Sequence, residues 1–85
     1  MTAIIRPTLA ELEVGRLYDE MDRLDAGIVA AVQQRTELAR RIAEARVVAG
    51  SPRVTHADDI DVIRRYTSEL GGSGTAMAMS LLRLR

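Results

Sequence analysis

The sequence predicts an all-α chain of three helices, one very long and two short. Three observations carry this. A capping box opens a segment of about forty residues that contains no proline, and apolar residues recur through it at the helical period. Glycine and proline then punctuate the rest of the chain twice. With 85 residues and no second core-forming region, the chain is read as a single domain, residues 1–85.

The first helix is expected from about Leu9 to Val48. Thr8 and Glu11 follow Pro7 with the spacing at which a threonine oxygen and a glutamate carboxylate satisfy each other's backbone amides. Taking Arg35 as the origin, Leu17, Met21, Leu24, Ile28, Ala31, Val32, Leu38, Ala39, Ile42 and Arg46 fall within about 60° of it on a helical wheel. Such a helix is about 60 Å long at 1.5 Å per residue, more than one small chain can cover, so its stripe requires a partner. Gly15 and Gly27 weaken it locally.

Ala49 to Val54, with Gly50 and Pro52, reads as a loop. Thr55 to Asp58 has the form of a second capping box, and Asp58, Asp59 and Asp61 suit the positive end of a helix dipole. The second helix places Ile60, Ile63 and Leu70 at core spacing, with Val62 and Tyr66 beside them. Gly71 to Gly74 reads as the next break, and a third helix from about Thr75 sets Met77, Leu81 and Leu84 on one side.

Composition narrows the function. Twelve acidic and twelve basic residues leave no net charge, unlike a protein that works by neutralising phosphates, so no nucleic acid is expected. With two tyrosines as the whole aromatic content there is no base-stacking platform. The absence of cysteine excludes disulfides and thiolate metal sites. No apolar run long enough for a membrane span and no signal-peptide pattern occurs, so the expected location is the cytoplasm. His56, Asp58, Asp59 and Asp61 are read as helix-start electrostatics, and neither a metal nor a cofactor is expected. No nucleophile with a base at recognisable spacing appears.

The segment RTELARRIAEAR, residues 35–46, poses the chemical question. Its first and last arginines stand eleven residues apart, so they point within about 20° of each other, on the apolar stripe, while Arg40 and Arg41 point elsewhere. One reading is that their stems run along the edge of that stripe while the heads reach water or a partner's carboxylate. The other is that both are covered. A guanidinium covered without a counter-charge costs several kcal/mol, so the pair then calls for an anion, such as a small dianion held between two heads about 16 Å apart along the helix.

The stretches EMDRLDAGIVAAVQQRTELARRIAEAR and GSPRVTHADDIDVIRRY resemble the all-helical AroQ-type chorismate mutases, in particular their short actinobacterial intracellular forms. The likeness covers roughly residues 14–84. It implies an intertwined homodimer whose first helix spans both subunits, and it implies the substrate, chorismate, which carries two carboxylates and a breakable ether. The implied reaction is the pericyclic conversion of chorismate to prephenate in phenylalanine and tyrosine biosynthesis. It also implies a complex with DAHP synthase, the first enzyme of the shikimate pathway, with Arg83 and Arg85 as the place to look for the contact.

By the same resemblance Arg35 matches a carboxylate-binding arginine and Arg46 the cation at the ether oxygen. Asp59 falls where the family has a glutamate facing the substrate hydroxyl, and Thr55 lies at the helix start that offers that hydroxyl a backbone contact. Two positions depart from the pattern. Tyr18 stands where the partner subunit normally supplies an arginine, and Asp58 where close relatives carry one; both remain candidate substrate contacts. Arg16 lies about 200° round the helix from position 18 and cannot replace it. These departures imply low intrinsic activity. They leave as alternatives a dimer of the same fold that only binds or regulates, or an enzyme acting on isochorismate or 4-amino-4-deoxychorismate.

Overall fold

Three helices form in the order α1 (Leu9–Val48), α2 (His56–Leu70) and α3 (Gly72–Arg83), with no strand among the described residues. The structure is a computed structural model and describes residues 5–50 and 56–84. The chain divides into two units, Met1–Ala31 and Val32–Arg85. None of the helices is long and apolar enough to cross a membrane, among the described residues.

The expected capping box closes α1 at its start. The Thr8 amide donates to Glu11 Oε2 at 3.1 Å, and the Glu11 amide donates to Thr8 Oγ1 at 3.1 Å. Two of the amides that a helix start leaves without intrahelical partners are thereby satisfied. The helix then continues unbroken for 40 residues through both Gly15 and Gly27. It ends at Val48, and Gly50 just beyond it has a φ of 79°, one that side-chain-bearing residues resist. The Gly50 amide closes the end by donating to the Val47 carbonyl at 3.1 Å. The second capping box, at Thr55, lies outside the described residues.

In the first unit the helix shows its apolar stripe without cover. Leu17, Met21, Leu24 and Ile28 are 53, 56, 65 and 54% exposed. On the same unit Arg16 pairs with Glu13 at 3.1 Å, one turn back along its own helix.

The second unit behaves differently. Here Val32, Arg35, Thr36, Ala39, Ala43 and Arg46 of α1 are half-buried, a stripe at the 3.6-residue period, while Leu38 and Ile42 on its flank stay exposed. Thr36 fits mid-helix because its hydroxyl donates to the Val32 carbonyl at 2.9 Å. From α2, Ile60, Val62, Ile63 and Tyr66 are half-buried, as expected, whereas Leu70 remains 54% exposed.

The third helix corrects the sequence reading twice. It begins at Gly72, not near Thr75, so only Gly71, with φ 76°, interrupts the chain. Its covered face is also different. Gly74 and Ala78 are buried and Leu81 of the expected stripe is half-buried, while Met77 and Leu84 are about half exposed. Both corrections have one cause, the close approach of α3 to α2. A Cβ built at position 74 would lie 2.1 Å from the Tyr66 carbonyl oxygen and 2.9 Å from Leu70 Cβ, so the position needs a residue without one. Small residues thus do the burying, and large ones lie beside them. Thr67 and Thr75 join α2 to α3 through their hydroxyls.

Candidate active site

A cleft of about 280 Å³ in the second unit gathers Arg35 and Arg46 from α1 with Asp58 and Asp59 from α2. Its apolar walls include Ala39, Ile42 and Ala43 of α1, Val62 of α2 and Leu82 of α3. The volume is near the lower end for small-molecule sites.

The local reasons for this assembly are simple. Arg35 and Arg46 share the covered stripe of α1, so each projects toward α2 and α3 and is half-buried there. Asp58 and Asp59 occupy the first turn of α2, where the helix dipole favours carboxylates. Val62 follows one turn after Asp58 and Asp59 on the same side. Both arginines therefore line a cleft that the carboxylate-bearing start of α2 also lines.

A charge contact between α1 and α2 is seen among the described residues. Nη1 and Nη2 of Arg46 each lie 3.4 Å from Asp58 Oδ2, long for hydrogen bonds but within reach of an ion pair. The Arg46 side chain is 33% exposed and that of Asp58 49%, so solvent screens the attraction in part. Arg35 also lines a second, adjoining cavity of about 390 Å³ with Asp61, Arg65, Tyr66 and Glu69. It therefore stands at the wall between two cavities.

Of the residues expected from the sequence, the cleft brings together Arg35, Arg46, Asp58 and Asp59. Thr55 and Arg85 lie outside the described residues. Tyr18 belongs to the first unit and is 68% exposed. Arg40 borders the cleft, while its guanidinium pairs with Glu37 and stays exposed, off the stripe of Arg35 and Arg46 as expected. The sequence reading missed Val62 and Leu82 as cleft walls and missed the pairing of Arg46 with Asp58. No periodic signal links residues twelve apart on different helices, so that pairing becomes visible only once α2 is placed.

Among the described residues that line the cleft there is no Cys, Ser, Thr, His or Lys. What it offers a ligand is charge and shape: guanidinium donors, two carboxylates and aliphatic walls. Such a set can hold and orient a small anionic molecule and stabilise charge that develops on it, without covalent chemistry.

Comparison with known proteins agrees with that description. No family model matches the sequence. The intracellular chorismate mutase of Mycolicibacterium smegmatis is 46% identical over 72 residues, covering 85% of this chain and 69% of the relative. The intracellular chorismate mutase of Mycobacterium tuberculosis is also 46% identical over 72 residues, covering 85% and 68%. Among solved structures, a non-covalent complex of DAHP synthase and chorismate mutase from Corynebacterium glutamicum, with bound transition state analog, contains a similar chain. That chain matches with TM-score 0.83 and 32% identity, over 91% of this chain and 93% of its own length.

Fold and cleft thus define a helical protein with a cleft that offers charge and shape. The chain belongs to the chorismate mutase family, whose members are isomerases.

Proposed function

We propose that the chain converts chorismate to prephenate in the cleft between Arg35, Arg46 and Asp59, as an AroQ-type domain within an intertwined homodimer. The observation that carries the assignment is the gathering of both half-buried arginines of α1 and the acidic start of α2 in one cleft whose described residues include no nucleophile. The rearrangement needs none. The bond from the ring to the ether oxygen breaks while the enolpyruvyl methylene carbon bonds to the ring, and no proton or leaving group departs. What an enzyme contributes is a compact substrate conformation and cations near the oxygen on which negative charge grows.

In this assignment Arg35 holds a substrate carboxylate, and Arg46 serves the ether oxygen and a carboxylate. Asp59 accepts a hydrogen bond from the ring hydroxyl, and Thr55 adds a backbone contact there. A second copy supplies Tyr18, which donates a hydrogen bond but brings no positive charge. The need for that copy rests on the uncovered stripe of Leu17, Met21, Leu24 and Ile28. Each such side chain is worth about 1.5–3 kcal/mol when removed from water.

A partner enzyme fits the same frame. The similar Corynebacterium glutamicum chain was solved in complex with DAHP synthase, and this chain is proposed to bind a DAHP synthase through its C-terminal end, where Arg83 stands exposed in the last turn of α3. The names of the relatives specify an intracellular enzyme, and the cytoplasm is the proposed place of action.

The direct test is to follow chorismate loss and prephenate formation with the purified chain, alone and with a DAHP synthase. Slow turnover alone that rises with the partner is the expected result. Unchanged chorismate in both cases would remove the assignment. Tyr18→Arg, which restores a cation, is expected to raise kcat/KM about tenfold, in keeping with a charge-assisted contact to a carboxylate.

A further inference from the structure

The cleft contains a contradiction if its ligand is a dianion. Arg35 and Arg46, with Arg40 at the edge, line it together with Asp58 and Asp59, and one aspartate already lies against one of the arginines, with Asp58 Oδ2 at 3.4 Å from both terminal nitrogens of Arg46. A guanidinium presents its donors in a planar fork, and the edge formed by Nη1 and Nη2 is one of the two that a carboxylate can engage. Asp58 occupies that edge in the structure.

We infer that Asp58 is a specificity-determining residue that competes with the anionic substrate for Arg46. The inference rests on the assignment of the cleft as the chorismate site and goes beyond it. A ligand carboxylate arriving at Arg46 must displace the Asp58 carboxylate from the Nη edge or share the guanidinium with it. In either case it meets a like charge beside its own binding position, which disfavours a second anion. Asp58 is half-exposed, so a displaced carboxylate can be rehydrated, and the penalty is modest rather than prohibitive.

The geometry fixes what each substitution does. Asp58→Asn keeps size and hydrogen-bonding capacity while removing the charge, and Asp58→Glu keeps the charge. A role in merely supporting the helix start would make the uncharged variant the poorer protein. A competing role makes it the better binder.

The experiment measures binding of a dicarboxylate transition-state analogue of the rearrangement to the full-length protein, by calorimetry, together with KM and kcat for chorismate. Asp58→Asn is expected to bind the analogue about fivefold more tightly than the parent, as expected for removal of one partly screened charge. KM is expected to fall by a similar factor with kcat little changed, and Asp58→Glu is expected to stay close to the parent. Added salt narrows the gap between Asp58→Asn and the parent. Circular dichroism checks that both variants remain helical, and Asp58→Ala repeats the test should the asparagine variant fail to fold. Binding by the parent with no gain in Asp58→Asn or Asp58→Ala overturns the inference and leaves the site assignment standing. Binding by neither the parent nor the variants overturns both.

Discussion

The first and second units draw on the same helix and the same apolar period, and they differ in what that period meets. In the first, Leu17, Met21, Leu24 and Ile28 lie more than half exposed. In the second, the covered positions of α1 are two arginines, a threonine, a valine and two alanines, and among the described residues those buried are Gly74 and Ala78 of α3. The better hydrophobic stripe is therefore the one left open, and the stripe that is covered is built of small and charged residues. Apolar periodicity reports which face of a helix is suited to being covered. It does not report what covers it, and in this chain the region that covers itself is the one given over to a charged cleft.

Four substitutions test that contrast. The largest effect is expected from Leu24→Asp, which sets a charge in the open stripe. If a second copy covers this face, burying that carboxylate costs several kcal/mol, and the variant should sediment as a monomer with reduced helicity. A variant that stays dimeric would mean that the stripe serves another purpose. Next is Arg46→Ala, expected to lower kcat/KM about 100-fold or more through loss of charge stabilisation, with little change in thermal midpoint because the lost ion pair is partly screened. A large fall in stability with activity retained would make the arginine structural.

Gly74→Ala comes third. The added Cβ must displace the Tyr66 backbone or push the helices apart, which costs about 2 kcal/mol. For a chain of this size that lowers the melting temperature by about 10 °C, measurable by scanning calorimetry. Thr8→Ala has the smallest effect. Loss of one cap is expected to cost about 1 kcal/mol, seen as a small decrease in helicity near the start of α1 on hydrogen exchange.

How far the sequence reveals the molecule depends on whether the determining contact is local. The ends of α1 are legible because Thr8 and Glu11 satisfy each other within one turn and Gly50 stands just beyond its last residue. The placement of Arg35 and Arg46 on one face is legible from helical periodicity alone. The start of α3 is not. Four residues containing three glycines favour a break by their own preferences, and the contact that makes Gly74 helical comes from Tyr66 on another element. The buried face of α3 was obscured for the same reason, since hydrophobicity draws attention to Met77 and Leu84 while close approach selects Gly74 and Ala78. In the cleft, the family resemblance supplied Arg35, Arg46 and Asp59 as site residues. It marked position 58 as a departure without indicating that its carboxylate lies on Arg46.

Gly74 has a further consequence for the cleft. Because only a residue without Cβ fits against the Tyr66 carbonyl, sliding α3 by one position would drive Ser73 or Thr75 into the backbone of α2. The register of α3 is thereby locked, and eight residues later, about 12 Å along the axis, it delivers Leu82 to the cleft wall. The missing methyl group acts as a length standard: the dimensions of a site built from arginine and aspartate are calibrated by a residue with no side chain at all.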